Sequence, residues 1–494
     1  MFRCDTEKIR RKNMLNIIPK PNYIAVTGAE RPYSEKDIRT VRSDLLGDEE
    51  YYLEITKEKI EITAKTEKGF FYARQTLKQL SFLKEAVPCL YIKDKPRYPY
   101  RAFMIDSARH MQTVDEIKTY IEAAALFKFN VFHWHLCDDQ GFRIENEEFP
   151  QLNAHGSWRN GHGFGSKNTD RYGGYYTKAQ IKEVVEFCSE RFIDVIPEID
   201  MPGHTIAILS SYPSLSCRKK EIPVETRLGV HKDIMCAGRE ETFDFCFKLL
   251  DEVSTLFPYE YFHIGGDEAP KDRWNECPDC QRRIREENLK DAEQLQGYFV
   301  NRIVKHMQEK GKKCIAWNES LNSGMLDKDV VVADWMDKEN RSQKRANAGG
   351  KIIVEDFFSY YLDYPYGMTP LEKTYRFDPN LEGLDETGKS NVIGVETPIW
   401  TEFVEDFDRL CYMCFPRMMA VSEIGWTDAA RRNYQSFEER AEKMRALLAE
   451  TGVSMALREC WNPKGIDRLP DLINHYKRFL TKEGIRQLLK IDEE

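Results

Sequence analysis

In "YFHIGGDEAPKDRW" (261–274) two carboxylates, Asp267 and Glu268, stand side by side after an apolar run that ends in two glycines. Adjacent acids at a strand end can divide labour: one moves a proton while the other stabilises charge. Neighbouring strand residues point to opposite faces, but where the strand stops the chain turns, so both can reach one rim. Comparable residues follow other apolar runs: Asp106 and Arg109, Asp138 and Asp139, Asp200 and His204, Trp317, Trp335, Tyr361 with Asp363, and Trp400 with Glu402. Acids, one guanidinium and aromatic faces suit a sugar, whose CH face is apolar and whose hydroxyls need directional partners. Asp139 and Asp200 fit equally well as structural hydrogen bonders or as substrate contacts.

The elements that must carry these residues are eight short apolar runs separated by long helical segments. They are "AFMID" (102–106), "VFHWHL" (131–136), "DVIPEID" (194–200), "YFHIGG" (261–266), "CIAWNE" (314–319), "VVVADW" (330–335), "KIIVED" (351–356) and "VIGVET" (392–397). Repeated β-then-α units imply a parallel sheet, and eight of them an α/β fold closed as a (β/α)₈ TIM barrel. In such barrels the site lies at the carboxyl ends of the strands, where the residues above fall. Helix starts are marked by capping-box pairs at Thr113/Glu116 and Thr177/Gln180, and Ser436 with Glu439 opens a late helix. Residues 1–97 read as a small α+β domain. It has alternating strands in "YYLEI" and "KIEITA" and a helix with Phe70, Ala73, Leu77 and Leu80 on one face. The proline-marked "KDKPRYPYR" separates it from a barrel over residues 98–455, and residues 456–494 form a helical tail without functional signal.

The net charge of −9 argues against nucleic acid or an anionic membrane as main partner. No apolar run approaches the roughly 20 residues of a membrane span. "MFRCDTEKIRRKNML" lacks the apolar core of a signal peptide, and thirteen cysteines are most simply reduced thiols, so the expected location is cytoplasmic. Cys277/Cys280 and Cys411/Cys414 each form a CxxC, but more than a hundred residues of patterned chain separate them. They are read as loop and core thiols rather than a metal site. His133 and His135 lie inside their apolar run and are read as core histidines.

The segments "DSARH", "HWHLCDDQGFRIE", "GGYYTKAQ", "PEIDMPGH", "HIGGDE", "AWNE", "YLDY" and "WTEF" occur in the order seen in β-N-acetylhexosaminidases of glycoside hydrolase family 20. The chain resembles that family from about Asn16 to about Thr427. The resemblance implies a non-catalytic first domain, no cofactor, no metal and an amino-sugar-containing oligosaccharide as substrate. It also implies substrate-assisted chemistry, in which the 2-acetamido oxygen attacks the anomeric carbon. By the same resemblance Glu268 is the general acid and then the base, and Asp267 holds the acetamido N–H. Tyr361 donates to the acetamido oxygen, and Asp138 with His204 forms a relay behind Glu268. Arg109 then holds the C3 and C4 hydroxyls, Glu402 and Asp363 serve O4 and O6, and Trp317, Trp335 and Trp400 form the pocket walls and floor.

Two other functions suit such a barrel. A metal-dependent amide hydrolase would need clustered His/Asp ligands on the rim, and the linear sequence does not group them. A non-catalytic sugar-binding protein would have no need of Asp267 and Glu268 together.

Overall fold

The computed structural model describes residues 15–477. Residues 1–14 of the stretch read for a leader and residues 478–494 of the final tail therefore lie outside the described residues. In the small domain, strands β1 (Tyr23–Pro32), β2 (Ile38–Arg42), β3 (Tyr51–Ile55), β4 (Ile60–Ala64) and β5 (Ala86–Asp94) form a mixed sheet in the order β1-β5-β3-β4-β2. Alternate burial along β3 and β4 leaves one face to pack. Helix α1 (Glu67–Ser81) covers that face with Phe70, Ala73, Leu77 and Leu80, and the Thr66 side chain accepts the Gly69 N–H to start it.

All eight expected runs become strands of one closed parallel barrel. They are β6 (Tyr100–Asp106), β7 (Val131–His135), β8 (Asp194–Glu198), β9 (Tyr261–His263), β10 (Lys313–Trp317), β11 (Val331–Asp334), β12 (Ile352–Val354) and β13 (Val392–Ile399). Both faces are covered, which is why the runs read as continuously apolar. Ala102, Val131, Ile196, Ile315, Val331 and Ile353 fill the interior, while Phe103, Phe132 and Val195 pack outward against the helices. Helices α2 (Val114–Leu126) and α3 (Lys178–Ser189) begin with the expected capping boxes. The late helix, Tyr434–Lys443, starts earlier than expected: the Asn433 side chain accepts from Ser436 N, so Ser436 sits in the first turn instead of capping it. In the tail, two 3₁₀ turns precede a helix at Leu469–Lys477. Among the described residues no helix is long and apolar enough to cross a membrane.

Cys277 and Cys280, read as loop and core thiols, are buried free thiols that linear spacing alone did not show to be clustered. Folding brings them together with Cys217 and Cys236, whereas Cys411 and Cys414 lie apart, buried in helix Phe407–Cys414. Linear spacing hid this, because Cys217 and Cys236 come from a loop that precedes a whole further helix and strand.

The small domain docks on the barrel through buried charge. Lys128, fully buried, donates to Tyr51 Oη (2.9 Å) and lies 3.3 Å from Asp94 Oδ2, with Nζ 4.3 Å from the Trp426 ring centre. Burial pulls the ammonium down to about 8 despite Asp94. Beside it Arg101, 1% exposed, grips Glu49 with both terminal nitrogens (2.9 and 3.2 Å). Removing one member of a buried pair strands the other charge, at about 3–5 kcal/mol. Lys128→Met should therefore lower the unfolding free energy by about that much in urea titrations. The double variant with Asp94→Asn should recover much of the loss; additive losses would show that the two groups do not pair.

Candidate active site

The two glycines account for the adjacent acids. After β9 the chain turns through Gly265 (φ +66) and Gly266 (φ +101), backbone geometry open to glycine. A Cβ on Gly265 would lie 1.7 Å from Asp200 Oδ1, and one on Gly266 2.3 Å from Ser320 Oγ. The turn thus presses against the end of β8, and Gly266 N donates to Asp200 Oδ1 at 2.9 Å. Glu268 itself has φ +39, a strained value for a side-chain-bearing residue and one found where function holds it.

Around this turn the structure gathers most of the expected residues. His204 Nε2 lies 3.4 Å from Glu268 Oε2 and 3.8 Å from Asp267 Oδ2, while its Nδ1 is 3.1 Å from Asp138 Oδ1 and 3.4 Å from Asp139 Oδ2. Burial opposes a charged imidazole here, but Asp138, Asp139 and Glu268 outweigh it and raise its pKa well above the ordinary value. Asp138 also takes Arg109 Nη2 at 2.6 Å and His135 Nε2 at 3.0 Å. Although burial alone would raise it, Arg109 and His204 hold Asp138 well below the usual carboxylate range. Asp267 goes the other way: burial and the facing Asp200 raise it, and burial raises Asp200 to about 8.

Arg109 is oriented by Gln140 Oε1 (2.9 Å) and lies 3.9 Å from Glu402, with its guanidinium 5.0 Å from the Trp400 ring centre. Asp363 and Glu402 are both raised by burial, Asp363 to about 8. Trp335 stacks on Tyr361 (6.1 Å, 27°), and Tyr361 is 6.3 Å from Trp400. Trp317 lies deeper: it is 1% exposed, 6.2 Å from Trp400, and donates Nε1 to Glu198 at 2.8 Å. Burial, Glu355 and Asp267 keep the Tyr361 hydroxyl protonated.

The open question over Asp139 and Asp200 resolves into two roles. Asp139 Oδ1 accepts the N–H of Ile206 (3.0 Å) at the start of helix Ile206–Ser211, and Asp200 pairs with Asp267. Asp106 is structural too, joining β6 to the loop after β13 through Thr401 N at 3.0 Å.

Besides the core histidines His133 and His135, the sequence left three features unmarked: Glu319, the interior carboxylates Glu198 and Glu396, and the rim contact of His475. Glu319, one residue beyond Asn318, accepts Trp335 Nε1 at 3.2 Å and is raised to about 8 by burial, Asp267 and Glu268. Inside the barrel, Glu198 accepts from Trp317 and His135 and lies 3.2 Å from His133 Nε2, while His133 Nδ1 reaches Glu396 at 2.6 Å. A polar residue inside an otherwise apolar strand is the signal that marks all four. On the rim, the tail helix brings His475 against Tyr364 (5.5 Å) and Phe403 (5.6 Å), a contact with no sequence signature. Three mixed sets, His133/Glu198/His263, Asp138/Asp139/His204 and Asp200/His204/Asp267, place ligand-type atoms within 4.8 Å of one another. In each, imidazoles and carboxylates face one another as partners.

A (β/α)₈ barrel with carboxylates, an arginine and an aromatic box at the carboxyl ends of its strands defines the class. The chain belongs to glycosyl hydrolase family 20: residues 98–429 match "Glycosyl hydrolase family 20, catalytic domain" and residues 20–95 match "Glycosyl hydrolase family 20, domain 2". It is 36% identical over 471 residues to a β-hexosaminidase of Porphyromonas gingivalis, covering 91% of this chain and 60% of the relative. With a Vibrio furnissii β-hexosaminidase the identity is 34%, over 76% of this chain and 65% of the relative. The chain thus spans less than two thirds of the length of these two. Among solved structures, a Vibrio harveyi exo-β-N-acetylglucosaminidase in complex with N-acetylglucosamine aligns with TM-score 0.82 and 28% identity, over 90% of this chain and 79% of that one. A Bacteroides fragilis β-N-acetylhexosaminidase aligns with TM-score 0.78 and 30% identity, over 90% and 98%.

The interior network has a measurable pH signature. Burial disfavours charge on His133 and His135, yet the surrounding carboxylates raise them to about 10 and about 9 from an ordinary 6.5. A raised folded value means stabilisation that is full below pH 6.5 and lost as pH rises through about 9–10. Calorimetric Tm should fall across that alkaline window, and His135→Gln should flatten the fall. An unchanged slope in the variant would separate His135 from the effect.

Proposed function

We propose that the chain is an exo-acting β-N-acetylhexosaminidase that removes terminal β-linked GlcNAc or GalNAc from oligosaccharides by retaining, substrate-assisted hydrolysis. The observation that carries this reading is the single turn presenting Asp267 and Glu268, with His204 3.8 and 3.4 Å away. Asp267 accepts the acetamido N–H, and the Tyr361 hydroxyl donates to the acetamido oxygen. That oxygen forms a bond to the anomeric carbon as the bond to the leaving oxygen breaks, and Glu268 delivers its proton to the leaving group. The result is an oxazolinium. Water then adds at the anomeric carbon while Glu268 takes back a proton, and the acetamide is restored. Arg109 serves the C3 and C4 hydroxyls, Asp363 and Glu402 take O4 and O6, and Trp335 and Trp400 flank the ring above Trp317. The N-acetylglucosamine complex of the Vibrio harveyi structure supports an amino sugar as the bound unit.

Proton donation matters most for poor leaving groups, and general acid catalysis contributes about 10²–10⁴-fold. Glu268→Gln should therefore lower kcat on unactivated glycans by about that factor, and on activated aryl glycosides far less. Equal losses on both would remove Glu268 from the proton-donor role.

If the acetamide is the nucleophile, an aryl β-glucoside with hydroxyl at C2 should be almost inert. A thiazoline mimic of the oxazolinium should bind far more tightly than free GlcNAc, as intermediate analogues do. Asp267→Asn should impair the N-acetyl substrate in kcat. Brisk β-glucoside hydrolysis, or a sugar trapped on Asp267 or Glu268 by a 2-fluoro glycoside, would overturn the mechanism.

A further inference from the structure

Away from the sugar pocket, four cysteines converge. Cys217 follows the 3₁₀ turn Pro213–Leu215, and Cys236 ends the loop that pairs back on it through the Ser216–Met235 bridge. Cys277 and Cys280 frame the start of helix Pro278–Glu286. Their sulfurs lie within 4.8 Å of one another: Cys217 to Cys280 is 3.8 Å, Cys236 to Cys277 3.8 Å and Cys236 to Cys280 3.6 Å. A disulfide would bring a pair to about 2.05 Å. A tetrahedral zinc thiolate with bonds of about 2.3 Å has sulfur–sulfur edges of about 3.8 Å.

The surroundings are built for close approach. Gly238 brings its loop against the helix start so tightly that a Cβ would lie 2.2 Å from the Asp279 carbonyl carbon and 2.3 Å from Cys280 N. Arg239 donates to Ser216 O at 2.6 Å, while its Nε is buried without a hydrogen bond among the described residues. Three of the four cysteines are buried and Cys217 is half-buried. The C-x₂-C spacing of Cys277 and Cys280 is that of one half of a zinc knuckle.

We propose that Cys217, Cys236, Cys277 and Cys280 bind one structural Zn²⁺ in a closed tetrahedral site. Binding replaces thiol protons, so that four thiolates and Zn²⁺ give a dianionic centre, which the Arg239 guanidinium neighbours. The site clamps the long loop after helix Ile206–Ser211 to the segment that follows Glu268. Met235, beside Cys236, donates its N–H to Pro202 O (3.0 Å) and accepts Trp274 Nε1 (2.8 Å). The clamp thereby ties the turn carrying His204 to the chain just beyond the catalytic pair. Four ligands with no open position make it a structural centre and not a second reactive one.

The test uses the full chain, purified without a histidine tag or chelator. Elemental analysis after dialysis should find close to one zinc per chain. The demetallated protein, titrated anaerobically with Co²⁺ alone, should show the thiolate charge-transfer and intense d–d bands of tetrahedral sulfur coordination. Cys277→Ser/Cys280→Ser should reduce bound zinc to near zero and lower Tm, whereas Cys411→Ser/Cys414→Ser should keep the full zinc content. The Co²⁺ spectrum of the unmutated chain decides the matter even where the first double variant fails to fold. Absence of zinc together with an octahedral Co²⁺ spectrum would overturn the proposal, as would mass-spectrometric detection of a Cys236–Cys280 disulfide.

Discussion

A carboxylate without solvent exposure sits at the centre of the barrel, and the site is built outward from it. Glu198 could not be charged there unaided, because removing an ion from water costs several kcal/mol even after relaxation. His135 and Trp317 donate to it from β7 and β10, and His133 and His263 face it at 3.2 and 3.0 Å from β7 and β9. These partners hold Glu198 well below the usual carboxylate range against its burial. One residue thus fixes the relative positions of four adjoining strands, β7 to β10. The side chains that emerge at the ends of those strands inherit that precision.

The same network passes charge upward. His135 touches Glu198 through Nδ1 and Asp138 through Nε2, so it is cationic between two anions. Asp138 stays ionised because Arg109 and His204 also claim it, and His204 is in turn held toward its protonated form beside Glu268. Charges alternate along Glu198, His135, Asp138 and His204, and His204 faces Glu268 at 3.4 Å. In a low-dielectric interior each member is stable only because the next has the opposite sign. A gap anywhere would leave two like or unpaired charges, so this chain of charges and the fold are one electrostatic object. On the other side of Glu268, burial and their like sign raise the facing Asp200 and Asp267, setting them apart from the alternating chain.

How much of this could be read from the sequence follows from the range of each interaction. The strands were legible because burial on both faces demands contiguous apolar residues, as in Val331–Asp334. The helix starts at Thr113 and Thr177 were legible because a capping box closes within four residues. The start at Tyr434 was misplaced because several residues there can cap, and only the backbone decides that Asn433 does. Asp267, Glu268 and Arg109 stood out by position at strand ends. Glu319 did not, since its character comes from burial and from two acids brought close by another strand. The four-cysteine cluster is the extreme case: its members are drawn from two segments, and no local pattern links Cys217 to Cys280.

The rim itself combines two kinds of restraint. Beneath it, charge pairing in the barrel sets where Asp138, Glu198 and Asp200 stand. Above it, the loops must hold left-handed backbone at His204 (φ +51) and Glu268 (φ +39), which an unsupported chain would relax. Gly265 and Gly266 allow the turn to approach Asp200, but glycines add freedom and do not fix a conformation. What fixes it is the packing of the neighbouring loops, with Met235 bonded both to the His204 turn and to Trp274. The acid and its imidazole neighbour thus belong to segments that the barrel alone does not rigidify. Their 3.4 Å separation depends on contacts outside the pocket as much as on the residues within it.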